Sequence, residues 1–420
     1  MTSVTTDILV IGGGLAGWRA AEAAVAAGRS VLLVANGAGN SPEIHALNVP
    51  VDPRDSVARY VADTLASGRE TNDRALVDVL CRESVKLADE FAFDRNPDGS
   101  YQLLQPLGST VPRCVSIRHA IGALALAQIR QKLSGCVEVV QGRVTELVRD
   151  ELPPVTDGAD TLPASLEVPS GTGIWYDATA VPSALLEGRY ADTLRRYAAA
   201  GIDIRREPML VAPAPHTSLG GVVVETSCRV LDETGTPIPG LFAAGEVTGG
   251  LHGRNRLGGN AGTEVLVFGR LAGQSAAASK GHRYDAFIDA GDARMVVTAE
   301  AVVLATGGWC GRAAFSTNPP ELQGDGIVLA RRLGAALRDM DAIQYEPTVA
   351  LAPTRLRGIP VITTMLFEGA TFRNRQGDEF LQDKHLNKDA LSQALLAEIA
   401  AGRGIDVAEF EKVKRRNAHG

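Results

Sequence analysis

Residues 7–34 constrain the chain more than any other stretch. Asp7–Ile11 reads as a short apolar strand, followed by Gly12-Gly13-Gly14-Leu15-Ala16-Gly17 and an Ala-rich helix from Trp18 to Ala27. Gly28 caps that helix and Ser30–Val34 is a second strand, completing a βαβ unit with G-x-G-x-x-G at its strand-to-helix turn. In such a turn the first glycine allows the sharp bend, the second admits a pyrophosphate, and the third lets helix and strand pack. The phosphates of a dinucleotide then face a helix N-terminus. The motif alone does not separate FAD from NAD. The second strand ends in Ala35-Asn36, where an acid would normally hold the adenosine ribose.

The chain has 420 residues, enough for two domains with proper cores, and its net charge of −7 argues against a nucleic-acid partner. No apolar run reaches the roughly 18 residues of a membrane helix. The N-terminus lacks the basic start of a signal peptide. Cys81, Cys114, Cys136, Cys228 and Cys310 are scattered without C-x-x-C spacing, so they read as buried thiols in a reducing cytoplasm rather than as metal ligands. No metal site is expected, and the expected location is cytoplasmic.

Downstream, helical patterns cover about Asp55–Ser67, Asp73–Phe91 and Ile117–Lys132, and Val137–Val140 and Val144–Val148 read as adjacent strands. Residues 151–173 are rich in Pro, Gly and Thr and mark a boundary. The stretch His216–Gly273 comes next. His216-Thr217-Ser218 reads as a polar turn before Gly220-Gly221 and the apolar run Val222–Val224, and a buried strand Leu241–Ala244 ends at Gly245-Glu246. A glycine-rich loop with His252, Arg254 and Arg256 then feeds a helix from about Thr263. An acid at the carboxyl end of a buried strand, before a helix, stands where open α/β sheets bind ligands. Tyr284–Ile288 and Arg294–Thr298 read as a hairpin, and Val302–Ala305 as a strand closing in Thr306-Gly307-Gly308. Asp325 lies at the start of a helix, Ile327–Leu333, where a carboxylate is stabilised or acts as a cap.

GGGLAG after the first strand, ATGG after a late one, and GLFAAGEV leading into HGRNRLGGNAGTEVLVFGRLAG together resemble the flavoprotein subunit family of fumarate reductase and succinate dehydrogenase, which includes L-aspartate oxidase. The resemblance implies an α/β fold: a doubly wound FAD-binding domain (residues 1–150 and 216–340) with a smaller α+β capping domain (151–215 and 341–420). The segment order differs from the family's, as if two blocks, about 151–282 and about 283–420, had been exchanged. Such an exchange is tolerable if the joins near 150 and 282 bridge ends that are already close, since doubling a loop costs about 0.6 kcal/mol.

The resemblance also implies roles. Gly12, Gly13, Gly14, Leu15, Ala16 and Gly17, Ser41, Gly245 and Glu246, Arg256, Ala261 and Gly262, Thr306, Gly307 and Gly308, and Asp325 would line FAD, with Glu246 on its ribityl chain. His216 and Arg256 would hold a substrate carboxylate, Arg256 through a bidentate fork that only arginine offers. His252 and Arg254, in the same loop, would line the mouth or be solvated. Two positions depart from the family. Its Gln-aromatic-His-Pro-Thr is here Gln344-Tyr345-Glu346-Pro347-Thr348, so Glu346 would repel a second carboxylate. Its proton-delivering arginine falls on Leu366, with Arg373 or Arg375 as substitutes. Pro42 stands where covalent members carry histidine, so FAD is expected to be non-covalent, although His45 is near. The expected function is hydride transfer between FAD and the α,β carbon–carbon bond of a small carboxylate, partnered by an iron–sulfur or other electron-transfer subunit. The alternative is a flavin-binding relay or scaffold subunit without turnover.

Overall fold

The computed structural model describes residues 2–106, 108–118, 120–149, 162, 171–187, 191–199, 203–206, 208–291, 293–361, 363–381, 386 and 388–417. Most of the boundary segment 151–173 lies outside them. The chain divides into two compact units, one of Met1–Ala164, Thr217–Arg312 and Asn318–Ile343, the other of Ser165–His216, Ala313–Thr317 and Gln344–Gly420.

The first unit is α/β, as expected. Its sheet runs Arg229–Leu231, Pro237–Ala243, Ala293–Leu304, Thr2–Ile11, Val31–Ala35, Val137–Gln141, and every neighbouring pair after the first is parallel. Ile8 to Ile11 and Val31 to Val34 are all buried, as continuous apolar runs must be when helices cover a parallel sheet. Two expected strands fuse: Arg294–Thr298 and Val302–Ala305 are parts of one strand, Ala293–Leu304. Its first half pairs antiparallel with Tyr284–Ala290, the expected hairpin, and its end pairs parallel with Leu241, Phe242 and Ala243, while Thr2–Ile11 runs parallel along its other side from Met295 to Leu304.

Val137–Gln141 and Arg143–Arg149 follow each other in sequence but take different partners. The former extends the parallel edge beside Val31–Ala35, and the latter pairs with Tyr284–Ala290. Arg149 stands opposite Tyr284 in that ladder. Arg149 and Tyr284, far apart in the sequence, are therefore neighbours in the sheet.

The first helix, Leu15–Ala26, packs on the longest, Asn260–Ala278. Small residues make the approach close. A Cβ on Gly269 would lie 2.6 Å from the Ala16 carbonyl oxygen, and one on Gly273 2.1 Å from that of Ala20. Leu15, Ala20, Leu266 and Val267 are buried in the same helices.

The second unit is built on a sheet ordered Ile343–Ala352, Met209–Ser218, Thr172–Asp177, Thr371–Arg373, with Ile405–Asp406 also on Thr172–Asp177. Tyr176, Met209, Val211, Phe372, Leu391 and Leu395 form its core. His216-Thr217-Ser218 is not a turn but the end of the strand Met209–Ser218. Pro213 and Pro215 obscure that strand in sequence, because proline is unusual inside a sheet.

Candidate functional site

Parallel pairing sets the first unit's site. Leu304 is in register with Ile11 on one side and Ala243 on the other, so three strands end side by side. The turns that follow them are Gly12–Gly17, Thr306–Gly308 and Gly245–Glu246, all at the carboxyl edge of the sheet.

Main chain meets main chain at this edge. Gly12 has φ +127°, and a Cβ there would lie 2.1 Å from the Ala305 carbonyl oxygen; a Cβ on Gly17 would lie 2.0 Å from that of Gly12. Neither position can hold any other residue without moving backbone. Gly14 begins the helix, and the next amide, Leu15 N–H, donates to Ser41 Oγ at 2.7 Å. Ser41 thus stands at the head of the phosphate-binding turn and closes part of it. Thr306 Oγ1 is buried without a hydrogen-bond partner among the described residues. A cradle closed to side chains at its glycines, with a buried hydroxyl left unanswered, fits a bound dinucleotide.

Glu246 lies against the neighbouring strand end, where a Cβ on Gly308 would be 2.3 Å from its Oε1. That oxygen accepts the Ser218 N–H at 2.9 Å and the Ser218 hydroxyl at 3.0 Å. Burial pushes the Glu246 carboxyl up to about 7, against the lowering effects of Ser218 and of the Arg256 guanidinium. Ser218 has no counterpart among the sequence-predicted residues. The only sequence signal was its place in the HTSLGG segment.

Several expectations change. His252 does not line a mouth: it is 5% exposed, and its Nε2 lies 2.9 Å from Glu264 Oε2, itself buried, because the glycine-rich loop folds inward over the start of the helix Asn260–Ala278. Arg254 takes the solvated alternative, in an exposed pair with Asp341 at 2.8 Å. Asp325 opens its helix without capping it. Its carboxylate takes a two-pronged bond from Arg143, at 2.7 and 2.6 Å. Ala261 and Gly262 form the first turn of Asn260–Ala278, where a Cβ on Gly262 would meet Ile44 Cγ2 at 2.9 Å. His45 is exposed. Cys136 is also exposed, against the expectation of burial, while the other four cysteines are buried, and no metal-binding group occurs among the described residues.

In the second unit, the His216 imidazole is fixed by Thr317, whose Oγ1 lies 2.8 Å from Nδ1. Thr317 is held in turn by its own N–H on the Pro215 carbonyl at 3.2 Å. Glu346 is 5% exposed in the strand Ile343–Ala352, and the Lys388 ammonium bonds its carboxylate. Sequence reasoning missed this partner because it lies 42 residues away. Leu366 is part of the hydrophobic core. Arg373 and Arg375 are engaged at the surface with Glu379 and Glu409.

Residues 7–150, 159–261 and 281–412 match the family described as FAD binding domain. The chain belongs to that family. As a member of the FAD binding domain family, it is similar over 110 residues to the fumarate reductase (cytochrome) of Shewanella frigidimarina, at 43% identity. That match covers 26% of this chain and 16% of the relative. It is 44% identical over 79 residues to the NADH:acrylate oxidoreductase of Vibrio harveyi, covering 18% of this chain and 8% of the relative. Each match thus spans less than a fifth of the curated relative's length. Its fold is similar to that of the open conformation of a flavocytochrome c3 fumarate reductase, with a TM-score of 0.52 at 21% identity over 66% of this chain and 79% of that one. No helix among the described residues is long and apolar enough to cross a membrane.

Proposed function

We propose that this FAD-binding chain is an oxidoreductase acting on the α,β carbon–carbon bond of a small enoate. The observation that carries the reading is the register of three parallel strands, which sets the glycine turn, the Thr306 turn and Glu246 side by side. Bound FAD supplies the hydride chemistry, and the protein's part is to orient the substrate and stabilise developing charge. Gly12–Gly17, Thr306–Gly308, Ala261 and Gly262 hold the cofactor, with Glu246 as a hydrogen-bonding group on its sugar-alcohol chain. Arg256 clamps the carboxylate, and His216, its ring direction set by Thr317, gives a hydrogen bond to substrate.

Glu346 bears on the substrate class. Its carboxylate already holds an ammonium, so the pair carries no net charge and offers nothing to a second carboxylate. A monocarboxylate therefore suits it better than fumarate or succinate. Relatives named for acrylate and for fumarate support both ends of that range. The electron partner we propose is an iron–sulfur or other electron-transfer protein.

The test is to reduce the purified flavoprotein with a dye and mix it with a panel of 2-enoates. Re-oxidation by monocarboxylates, faster than by fumarate and lost in Arg256→Ala, is expected. Silence across the panel with FAD firmly bound would leave an electron relay as the better reading.

A further inference from the structure

A polar cluster that none of these roles uses lies inside the first unit. Arg113 is fully buried. Its Nη2 donates to Asp55 Oδ1 at 3.0 Å and to Asp63 Oδ2 at 2.7 Å, and its Nε to Asp55 Oδ2 at 3.1 Å. Asp63 also accepts the Thr110 N–H and hydroxyl, each at 3.0 Å. The Arg113 guanidinium lies over the ring of Tyr60, 4.7 Å from its centre. Tyr60 is fully buried, and burial holds its hydroxyl well above the usual phenol range, so it is a lasting donor. It donates to Asn260 Oδ1 at 2.7 Å, and Asn48 Nδ2 donates to the same oxygen, also at 2.7 Å.

Asn260 is the first residue of the helix Asn260–Ala278, which no side chain caps. Its amide is turned to Tyr60, Asn48 and Thr64 instead. One turn on, Thr263 Oγ1 accepts the Asn48 N–H at 2.8 Å and donates to the Asn48 carbonyl at 3.0 Å. A Cβ on Gly259 would lie 2.7 Å from both Asn48 Oδ1 and Cys114 Sγ. The helix start and the segment Leu47–Asn48 are thereby locked together. Two carboxylates around one buried guanidinium are weak evidence for stability, since an apolar cluster of the same volume would serve as well or better. What such a cluster does supply is direction, because hydrogen bonds fix angles and apolar contacts do not.

We propose that Arg113, Tyr60, Asn48 and Asn260 are positioning residues for the cofactor, fixing the start of Asn260–Ala278 beside it and so setting the reduction potential of the bound flavin. The inference rests on the reading of Ala261 and Gly262 as cofactor neighbours. A helix N-terminus favours negative charge, and reduced flavin carries more of it than oxidised flavin. A helix start that is free to shift should therefore stabilise the reduced cofactor less.

The experiment is a dye-equilibration measurement of the flavin midpoint potential in Tyr60→Phe, which removes one oxygen and keeps the ring under Arg113. Reduced FAD should lose roughly threefold to tenfold more affinity than oxidised FAD, a potential about 15–30 mV more negative. Arg113→Lys should move it in the same direction. Tyr284→Phe is the control, deleting a buried hydroxyl bonded to the Pro239 carbonyl elsewhere in the unit, and should leave the potential in place. A wild-type potential in both Tyr60→Phe and Arg113→Lys with FAD bound, or an equal shift in Tyr284→Phe, would overturn the inference. A wild-type protein that binds no FAD would sink the functional reading instead.

Discussion

Each unit buries a glutamate, and each handles it differently. In the first unit Glu246 meets neutral donors, the amide and hydroxyl of Ser218, and its carboxyl rises to about 7. In the second unit Glu346 meets the full counter-charge of Lys388. The first arrangement keeps an acid that can be neutral near physiological pH and share protons in hydrogen bonds. The second keeps a charge and cancels it. The glycines give a second contrast: Gly12 and Gly17 at the first unit's sheet edge press on main chain, whereas Gly402 in the second, at positive φ like Gly12, has nothing within 4 Å of its missing Cβ.

The glycine contrast is the easiest to break and carries the largest expected effect. Gly12→Ala must displace the Ala305 carbonyl, and the protein should lose FAD by at least about a hundredfold, read as the flavin retained through gel filtration. Gly402→Ala should cost only about 1 kcal/mol from its left-handed backbone, with FAD binding unchanged. Comparable losses of FAD in the two variants would remove the distinction between the units.

Glu246 gives the next effect, and its sign follows from the raised pKa. Its contribution to stability is fully present below its unfolded pKa, about 4.5, and is lost as pH rises through about 7, where the buried carboxyl must ionise. Glu246→Gln has no charge to acquire. In urea melts of the apoprotein the variant should gain on the wild type between about pH 5 and about pH 8, by up to roughly 3 kcal/mol. A stability difference that does not move across this window would show that the carboxyl is not held in a desolvated place.

The charged pair sharpens the other half of the comparison. Lys388→Met leaves Glu346 buried without that cation. A wholly buried broken pair costs about 3–5 kcal/mol, but the lysine side chain is 35% exposed, so about 1–2 kcal/mol is expected. Glu346→Gln should cost less and free the ammonium. Titration calorimetry on the oxidised holoprotein should then show succinate gaining affinity relative to butanoate by roughly tenfold, and Glu346→Gln/Lys388→Met should lose that gain. An unchanged ratio in Glu346→Gln would place the pair away from the substrate.

How far each unit could be read from sequence follows the same division. The βαβ unit of the first shows because its rules are local: an apolar run, six residues of turn, an Ala-rich helix. Parallel strands buried on both faces are continuous Val/Ile/Leu runs and stand out without any partner being known. What stayed hidden there is long-range. Ser218 on Glu246 and Glu264 on His252 join residues whose types suit a dozen other roles. The second unit's strand Met209–Ser218 is masked by two prolines, and the Glu346–Lys388 pair has no spacing that a sequence could reveal. The charge of Glu346 was legible and its neutralisation was not, because a counter-charge is a property of the fold.

Asp325 offers the smallest effect and a clean decision between two roles for one residue. At the first position of its helix a carboxylate is favoured by the helix dipole, by about 0.3–1 kcal/mol when exposed. Here it is also forked by Arg143, but that side chain is 56% exposed, and such pairs contribute between nothing and about 1 kcal/mol. Asp325→Asn should therefore lower stability by well under about 2 kcal/mol, and Arg143→Gln by less, since the dipole term survives. Both losses should shrink in about 1 M salt, where exposed charges are screened beyond about 3 Å. If the carboxylate serves only the helix and the arginine, FAD affinity measured by fluorescence quenching will match the wild type in both variants. If it also faces the cofactor, as the resemblance implies, Asp325→Asn alone will weaken FAD while Arg143→Gln will not, and the salt dependence will separate the two contributions in one titration.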